Sequence, residues 1–396
     1  MLPTSPHRER SATLASLCLV NRLFLHIARP LLYHTIRLDP TFDLRFLDSN
    51  CSKLAQTLFC NVHCAGEVKK LRLVLERHDQ YTDWNLLRVI LRKFTRLQMI
   101  STSWDSNEGF LDDSAGLWAA IEAAAPQIKH LETPLVKLNY PASSSVRPRF
   151  KSLETLVIRP SSIILDKASE CKLRHVVFSN RIPRAAIELY LASAHETLTS
   201  LSFQVTYEDS IMLDLSNFPN LSTLHLVLGD FHSHDPEPDL LIEHERQCIE
   251  IVQALILSTH SLSLRTLSLA TKLDSTAASL SDYPILNLLP PTLQHLFAVS
   301  ELLGEKNIPL LLPNRKRKPY PCPSLSRITI LPSIYTDDLD EWDIDEMVTT
   351  QTRLSELCEE QKLSIKVVLR VNLGDEYGAA EAFNSSTGGS QMDSNE

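Results

Sequence analysis

The sequence predicts an α/β solenoid, with parallel strands on a concave face and helices outside them. A six-residue phrase, leucine-x-x-leucine-x-leucine with conservative replacements, recurs along the chain, and amphipathic stretches separate its copies. Only 9 of the 396 residues are glycine. No glycine-rich nucleotide turn is present, which argues against the alternative of an ordinary doubly wound α/β domain.

The phrase has the chemistry of a short strand that packs on its neighbours. Its fourth and sixth residues lie two apart and therefore point to the same face of a strand. A single copy cannot bury that face, but stacked copies bury a continuous core. The copies begin at Val68, Leu97, Ile128, Leu153, Leu173, Leu198, Leu221, Leu264, Leu293 and Leu325, with those at Leu97 and Ile128 weaker.

Helix-like periodicity fills much of the sequence between the phrases. Helices are predicted over 83–91, 114–125, 184–195 and 243–257. One apolar face of the last is formed by Cys248, Ile251, Val252, Leu255 and Ile256. The polar stretches 231–239 and 314–319 predict inserted loops. The final residues are rich in Gly, Ser, Asn and Glu, which predicts a disordered tail.

The N-terminal segment predicts a helix followed directly by a strand. Its apolar residues recur mostly at three- and four-residue spacings, and the pattern stops at Arg29-Pro30, where proline disfavours helix for the residue before it. The alternation Thr35-Ile36-Arg37-Leu38 then predicts a strand. The apolar set is Leu14, Leu17, Leu19, Val20, Phe24, Ile27 and Ala28.

This segment resembles the second half of an F-box, as found in many fungal proteins. The resemblance is carried by Leu14, Leu17, Leu19-Val20, Arg22, Phe24, Ala28 and Pro30-Leu31-Leu32-Tyr33. An F-box normally opens with Leu-Pro, an acidic residue and a further helix. Here Leu2-Pro3 is followed by 4–10 without that helix, so we expect an N-terminally truncated F-box. The phrase-bearing part resembles the irregular leucine-rich repeats common in F-box proteins.

The resemblance implies docking on the Skp adaptor of a cullin ubiquitin ligase. The adaptor-binding residues that it implies are Leu14, Leu17, Leu19, Val20, Phe24, Pro30, Leu31, Leu32 and Tyr33. The expected domains are the truncated F-box-like segment 1–38, the irregular leucine-rich-repeat solenoid 40–372 and the tail 373–396.

The expected function is a non-enzymatic interaction scaffold, the substrate-recognition subunit of a Skp-cullin-F-box ubiquitin ligase. The target is unknown. One alternative is a leucine-rich-repeat binding protein without a ligase, its N-terminal helix capping the solenoid. Another is an α/β enzyme, which would show one deep pocket with convergent polar groups.

Composition excludes several other classes. A net charge of −9 does not favour nucleic acid. No apolar run reaches the roughly 18 residues of a membrane span. Eight cysteines without a CxxC pair, and no signal peptide, predict a reducing compartment, cytoplasmic or nuclear. Neither the Gly-x-Ser-x-Gly elbow nor HExxH occurs, so neither enzyme activity nor a cofactor is expected.

Four local clusters each have two interpretations. Cys60, His63 and Cys64 could ligate zinc, but a fourth ligand is absent, so incidental thiols are preferred. A group of histidines could form a metal site, but a solvated loop is the preferred interpretation. The basic residues 315–318 could be a nuclear-import signal, but a solvated loop is again preferred. The acidic stretch 337–347 is preferred as the terminal helix of the solenoid over a partner-recruiting helix. The histidine group is His225, His232, His234 and His244 with Asp235.

Target specificity is expected to reside in exposed polar residues of the strand face and adjoining loops. These are Lys70, Arg72, Glu154, Thr155, His175, Ser200, Thr223, His225, Arg265, Thr266, His295 and Arg327.

Overall fold

The structure is a computed structural model. It describes residues 13, 16, 22–38, 50–75, 84–104, 120–121, 124–133, 150, 152–158, 172–178, 187–188, 191–192, 194–205, 213–229, 238–271, 285–303, 311, 322–331 and 341–370. The chain divides into two compact units, Met1–Leu173 and Arg174–Glu396.

The described residues of the first unit form five parallel strands whose spatial order is their sequence order. They are β1 Thr35–Leu38, β2 Lys70–Leu75, β3 Met99–Trp104, β4 His130–Thr133 and β5 Thr155–Ile158. Its helices are α1 Arg22–Tyr33, α2 Asn50–Cys60, α3 Val62–Ala65 and α4 Trp84–Lys93, and Ala125–Gln127 forms a 3₁₀ turn.

Where the second unit is described, it repeats the same arrangement with seven strands. They are β6 His175–Phe178, β7 Ser200–Val205, β8 Thr223–Leu228, β9 Thr266–Thr271, β10 His295–Val299, β11 Arg327–Leu331 and β12 Lys366–Leu369, parallel and in sequence order. Its helices are α5 Pro238–Ser258 and α6 Glu341–Glu360, and 3₁₀ turns occupy Leu215–Asn217, Ile285–Leu288 and Ser300–Leu303. The predicted α/β solenoid-like fold is confirmed.

The hexameric phrase places one copy on the next in constant register. Leu201, Leu224 and Leu267, the fourth residues of successive copies, are direct partners across β7, β8 and β9. All three are fully buried, as are the first residues of the latter two copies, Leu221 and Leu264. These leucines form a ladder on the inward face of the sheet, which is the face that carries the fourth and sixth phrase residues; the opposite face is called the outward face. Burial of each leucine contributes about 1.5–3 kcal/mol, so this ladder is the main source of stability.

A recurring hydrogen bond fixes the entry to each strand. The carbonyl of Lys69 accepts from the backbone N–H groups of both Gln98 (2.9 Å) and Met99 (3.0 Å). The carbonyl of Thr199 accepts in the same way from Ser222 (3.0 Å) and Thr223 (3.1 Å). Because these bonds involve only backbone atoms, the second and third phrase positions accept any residue except proline, which lacks the donor N–H.

The helix predictions after the N-terminal segment agree with the structure except at the ends of two of them, where Ala124, Ala194 and His195 lie in turns and Ala125 in a 3₁₀ turn. The pattern over 83–91 is α4, and the pattern over 243–257 lies within the longer α5, whose Cys248, Val252 and Leu255 are buried. Of 114–125 and 184–195, the described helical residues are 120–121, 187–188 and 191–192. The predicted strand Thr35–Leu38 is β1.

The predicted end of the N-terminal helix is wrong. Helix α1 continues through Pro30 to Tyr33. Pro30 lies in the last turn, so its missing N–H removes only the bond that would run to the His26 carbonyl. The half-buried side chains of Leu32 and Tyr33 keep this turn packed.

Candidate functional site

Helix α1 displays an apolar stripe to solvent. Leu23, Ile27 and Leu31 follow one another at four-residue spacing, which places them on one face. Their exposed fractions are 66%, 56% and 53%, and the adjacent Phe24 is also exposed. Four exposed large apolar side chains on twelve residues of helix form a contiguous patch of the kind that marks interaction sites.

The other side of α1 anchors it to the first unit. Ala28 is buried, and the helix contacts β1 and α3. The small side chain of Ala28 allows close approach of the helix to this support. The apolar stripe is therefore held on a fixed element, with one face packed and another open to solvent.

Five of the nine predicted adaptor-binding residues lie in α1. Phe24 and Leu31 are exposed, whereas Pro30, Leu32 and Tyr33 are half-buried. The other four, Leu14, Leu17, Leu19 and Val20, lie outside the described residues. The prediction omitted Leu23 and Ile27, although their four-residue spacing with Leu31 was a readable signal.

Three basic side chains cluster on the outward face of the first unit's strands. Arg37 on β1 is the direct register partner of Arg72 on β2, and Lys70 lies two residues before Arg72 on the same face. All three are exposed. Nearby, burial first and then the charges of Lys69 and Lys70 lower the pKa of His34. Lys70 and Arg72 were predicted, but Arg37 was not.

The outward strand face of the second unit is buried where the prediction expected exposure. Ser200 and His225 are buried, so the exposed positions predicted for them are wrong. Ser202, His225 and Ser268 are register partners across β7, β8 and β9, and all three are buried. The hexameric phrase specifies only the inward residues, so it carries no information on this face.

Burial controls the chemistry of His225. Desolvation lowers its pKa to about 4, so the imidazole is neutral at pH 7.

On β7, Gln204 Nε2 donates to the Gly229 carbonyl. Among the described residues, however, neither Gln204 Oε1 nor the Ser200 hydroxyl has a hydrogen-bond partner.

The Cys60-Asn61-Val62-His63-Cys64 segment joins the end of α2 to the start of α3. Asn61 caps α3, and its Oδ1 accepts from the backbone N–H groups of His63 (3.1 Å) and Cys64 (3.2 Å). Cys60 and His63 are exposed, whereas Cys64 is buried. Across the described parts of the chain, no three His, Cys, Asp or Glu side chains are grouped to hold a metal ion.

The other sequence clusters are described in part. His232, His234 and Asp235 lie outside the described residues, as do 315–318. The acidic stretch is helical from Glu341 onward in α6, which contacts β11 and β12. Met347, Leu354 and Cys358 are buried on one side of that helix. This packing agrees with the terminal-helix interpretation of the stretch.

None of the described helices combines the length and apolar character needed to cross a bilayer.

Comparison with solved structures gives a weak structural likeness. No family model and no curated protein matches the sequence. A Bacteroides fragilis protein of known crystal structure aligns with a TM-score of 0.36 and 13% identity, over 87% of this chain and 76% of that one.

Proposed function

We propose that this chain is a non-enzymatic interaction scaffold that docks a partner protein on α1 and holds a target on its strand face. The observation that carries the proposal is the exposed stripe Leu23, Ile27 and Leu31 beside Phe24. A partner that buried these side chains would gain about 1.5–3 kcal/mol of binding free energy for each of them.

The partner we propose is the Skp-type adaptor of a cullin ubiquitin ligase. This proposal is supported by the resemblance of the N-terminal sequence to an F-box. Two of the residues that the resemblance implies, Phe24 and Leu31, belong to the exposed patch. In this role the chain is a substrate-recognition subunit: α1 joins the ligase, and the strand face presents the target for ubiquitin transfer by the attached machinery.

A second candidate is a repeat-domain binding protein without a ligase, in which α1 is a cap. The buried Ala28 and the contacts of α1 with β1 and α3 favour it, because they place the helix against the first strand of the unit. The two candidates differ in whether the opposite, exposed side of α1 binds an adaptor.

The experiment is copurification of the tagged chain with the Skp adaptor from eukaryotic cells. The test variant is Ile27→Glu with Leu31→Glu, since both side chains are exposed and glutamate is a strong helix former. The matched control is Leu257→Glu, an exposed apolar residue of α5. Circular dichroism checks that each variant is folded.

Adaptor bound by wild type and by the control, but lost from the double variant, supports the ligase role. Absence of the adaptor from the folded wild type contradicts the ligase role and favours the second candidate, in which α1 is a cap. Equal binding by the double variant also contradicts docking on α1.

A further inference from the structure

The outward face of the last strands carries a row of basic side chains. His295 on β10, Arg327 on β11 and Lys366 on β12 are direct register partners. Neighbouring strands lie about 4.8 Å apart, so the three side chains leave the sheet side by side. Lys366 is exposed and Arg327 is half-buried, so the row opens to solvent towards β12.

Two polar groups at the centre of this row lack partners. Within the described residues, neither the buried Nε of Arg327 nor the hydroxyl of Thr329 makes a hydrogen bond. Thr329 lies two residues after Arg327 on the same face, and only 2% of it is exposed. A buried donor without an acceptor costs about 1–3 kcal/mol, and more when it belongs to a charged group.

The described strands β10, β11 and β12 contribute no negative charge beside Arg327. The three strands read His-Leu-Phe-Ala-Val, Arg-Ile-Thr-Ile-Leu and Lys-Val-Val-Leu, without a carboxylate. Burial first, and then the charge of Arg327, lower the pKa of His295. A lowered pKa favours the neutral imidazole, so Arg327 and Lys366 carry the positive charge of this row.

We propose that Arg327, Thr329 and Lys366, with His295 at the side, form a binding site for one oxyanion, a carboxylate or a phosphate group. Arg327 donates from Nε and the guanidinium edge, Thr329 donates its hydroxyl proton, and Lys366 supplies charge at the solvent side. A guanidinium suits this role because its planar fork matches the oxygens of both groups. The site does not depend on α1 docking an adaptor.

The structure favours a single anionic group over a nucleic acid backbone. Val299 and Leu331 follow the row on the same outward face, and Val368 is the register partner of Thr329. This border, with Phe297 as the other register partner of Thr329, confines the polar site to one group, whereas a nucleic acid backbone requires a longer basic groove.

The test measures anion binding by the full chain with inorganic phosphate and with acetate, each against chloride at equal ionic strength. Titration calorimetry gives Kd, and thermal unfolding gives Tm. A saturated site is expected to raise Tm by about 2–4 °C. The anion that gives the larger shift identifies which of the two groups the site accepts.

The main variant is Arg327→Met, which removes the guanidinium and keeps an apolar stem. We expect its affinity for the bound anion to fall at least about tenfold, as expected when a charge-assisted hydrogen bond is lost. In chloride its Tm is expected to rise, because an unsatisfied buried donor is gone. The matched control is Arg265→Met, an exposed arginine just before β9, which is expected to keep the anion response.

Thr329→Val provides a second variant of nearly the same volume, so that the test does not depend on the folding of one protein. It is expected to weaken binding while preserving the packing of β11. The proposal is overturned if neither anion shifts wild-type Tm more than chloride does. It is equally overturned if Arg327→Met and Thr329→Val bind the anion as tightly as wild type.

Discussion

Arg37 lies directly opposite Arg72 across the parallel pair β1–β2, with both side chains exposed on the outward face. Like charges in directly opposed positions destabilise a sheet. Lys70 adds a third positive charge on the same face of β2. The first unit therefore places three basic side chains on two neighbouring strands, in a chain whose net charge is −9.

We expect Arg37→Thr to stabilise the first unit by about 0.2–1 kcal/mol, because it removes the opposed charge and threonine suits a strand. Urea unfolding monitored by circular dichroism measures the change. Arg37→Lys keeps the charge and serves as the control, with no gain expected. A gain that persists undiminished in 1 M salt would rule out charge repulsion as its cause, since the Debye length there is about 3 Å.

Stability is expected to fall as the pH drops from about 6.5 towards about 4, because of His225. Its pKa is 6.5 in the unfolded reference and about 4 when folded, so the unfolded chain binds the proton first. The loss integrates to on the order of 3 kcal/mol. The measurement is denaturant unfolding at several pH values, for wild type and His225→Gln.

The His225→Gln variant separates this histidine from the others. Burial also lowers the pKa of His34 and of His295, so both add to the wild-type slope in the same direction. We expect the variant to retain the contributions of His34 and His295 to the pH dependence of stability and to lose the contribution of His225. An identical pH slope in both proteins would show that His225 is not buried in its neutral form.

Removal of one ladder leucine is expected to destabilise the second unit strongly. Leu224 is fully buried between its register partners Leu201 and Leu267, so Leu224→Ala leaves a cavity and costs about 2–5 kcal/mol. The control is Val227→Ala on the same strand, a partly exposed residue of the outward face. Thermal unfolding compares the two, and equal losses would contradict the assignment of the core to the inward face.

Thiol reactivity is expected to distinguish Cys60 from the buried cysteines. Cys60 is exposed, whereas burial raises the pKa of Cys322 to about 12 and also raises that of Cys358. Because the thiolate is the reactive form, iodoacetamide should modify Cys60 quickly and the other two only after unfolding. Peptide mass mapping of native and urea-treated protein, with Cys60→Ser as control, checks this order. Fast native labelling of Cys322 would contradict it.

Local pattern was sufficient for the repeat. The hexameric phrase predicted the strands from β2 to β11, and its first, fourth and sixth positions supply most of the inward core. The helix periodicity likewise predicted α4 and α5. It failed at Pro30, where packing of the last turn outweighs the loss of one backbone bond.

The candidate sites were predicted less completely. Phe24 and Leu31 were predicted as contacts, but the exposed stripe also includes Leu23 and Ile27. The pairing of Arg37 with Arg72 joins residues from strands that the intervening α2 and α3 separate. Neither helix was predicted, and β1 was not counted as a copy of the phrase. The register between β1 and β2 could therefore not be predicted from the sequence.

The sequence by itself determined the inward half of this protein, because strand alternation and burial of leucine act between residues only two or three positions apart. Only the tertiary structure decided the outward half. It buried Ser200 and His225, opposed Arg37 to Arg72, and placed Lys366 beside Arg327. The physical reason is that exposure and charge pairing on that face depend on neighbours more than twenty residues away, which no local periodicity records.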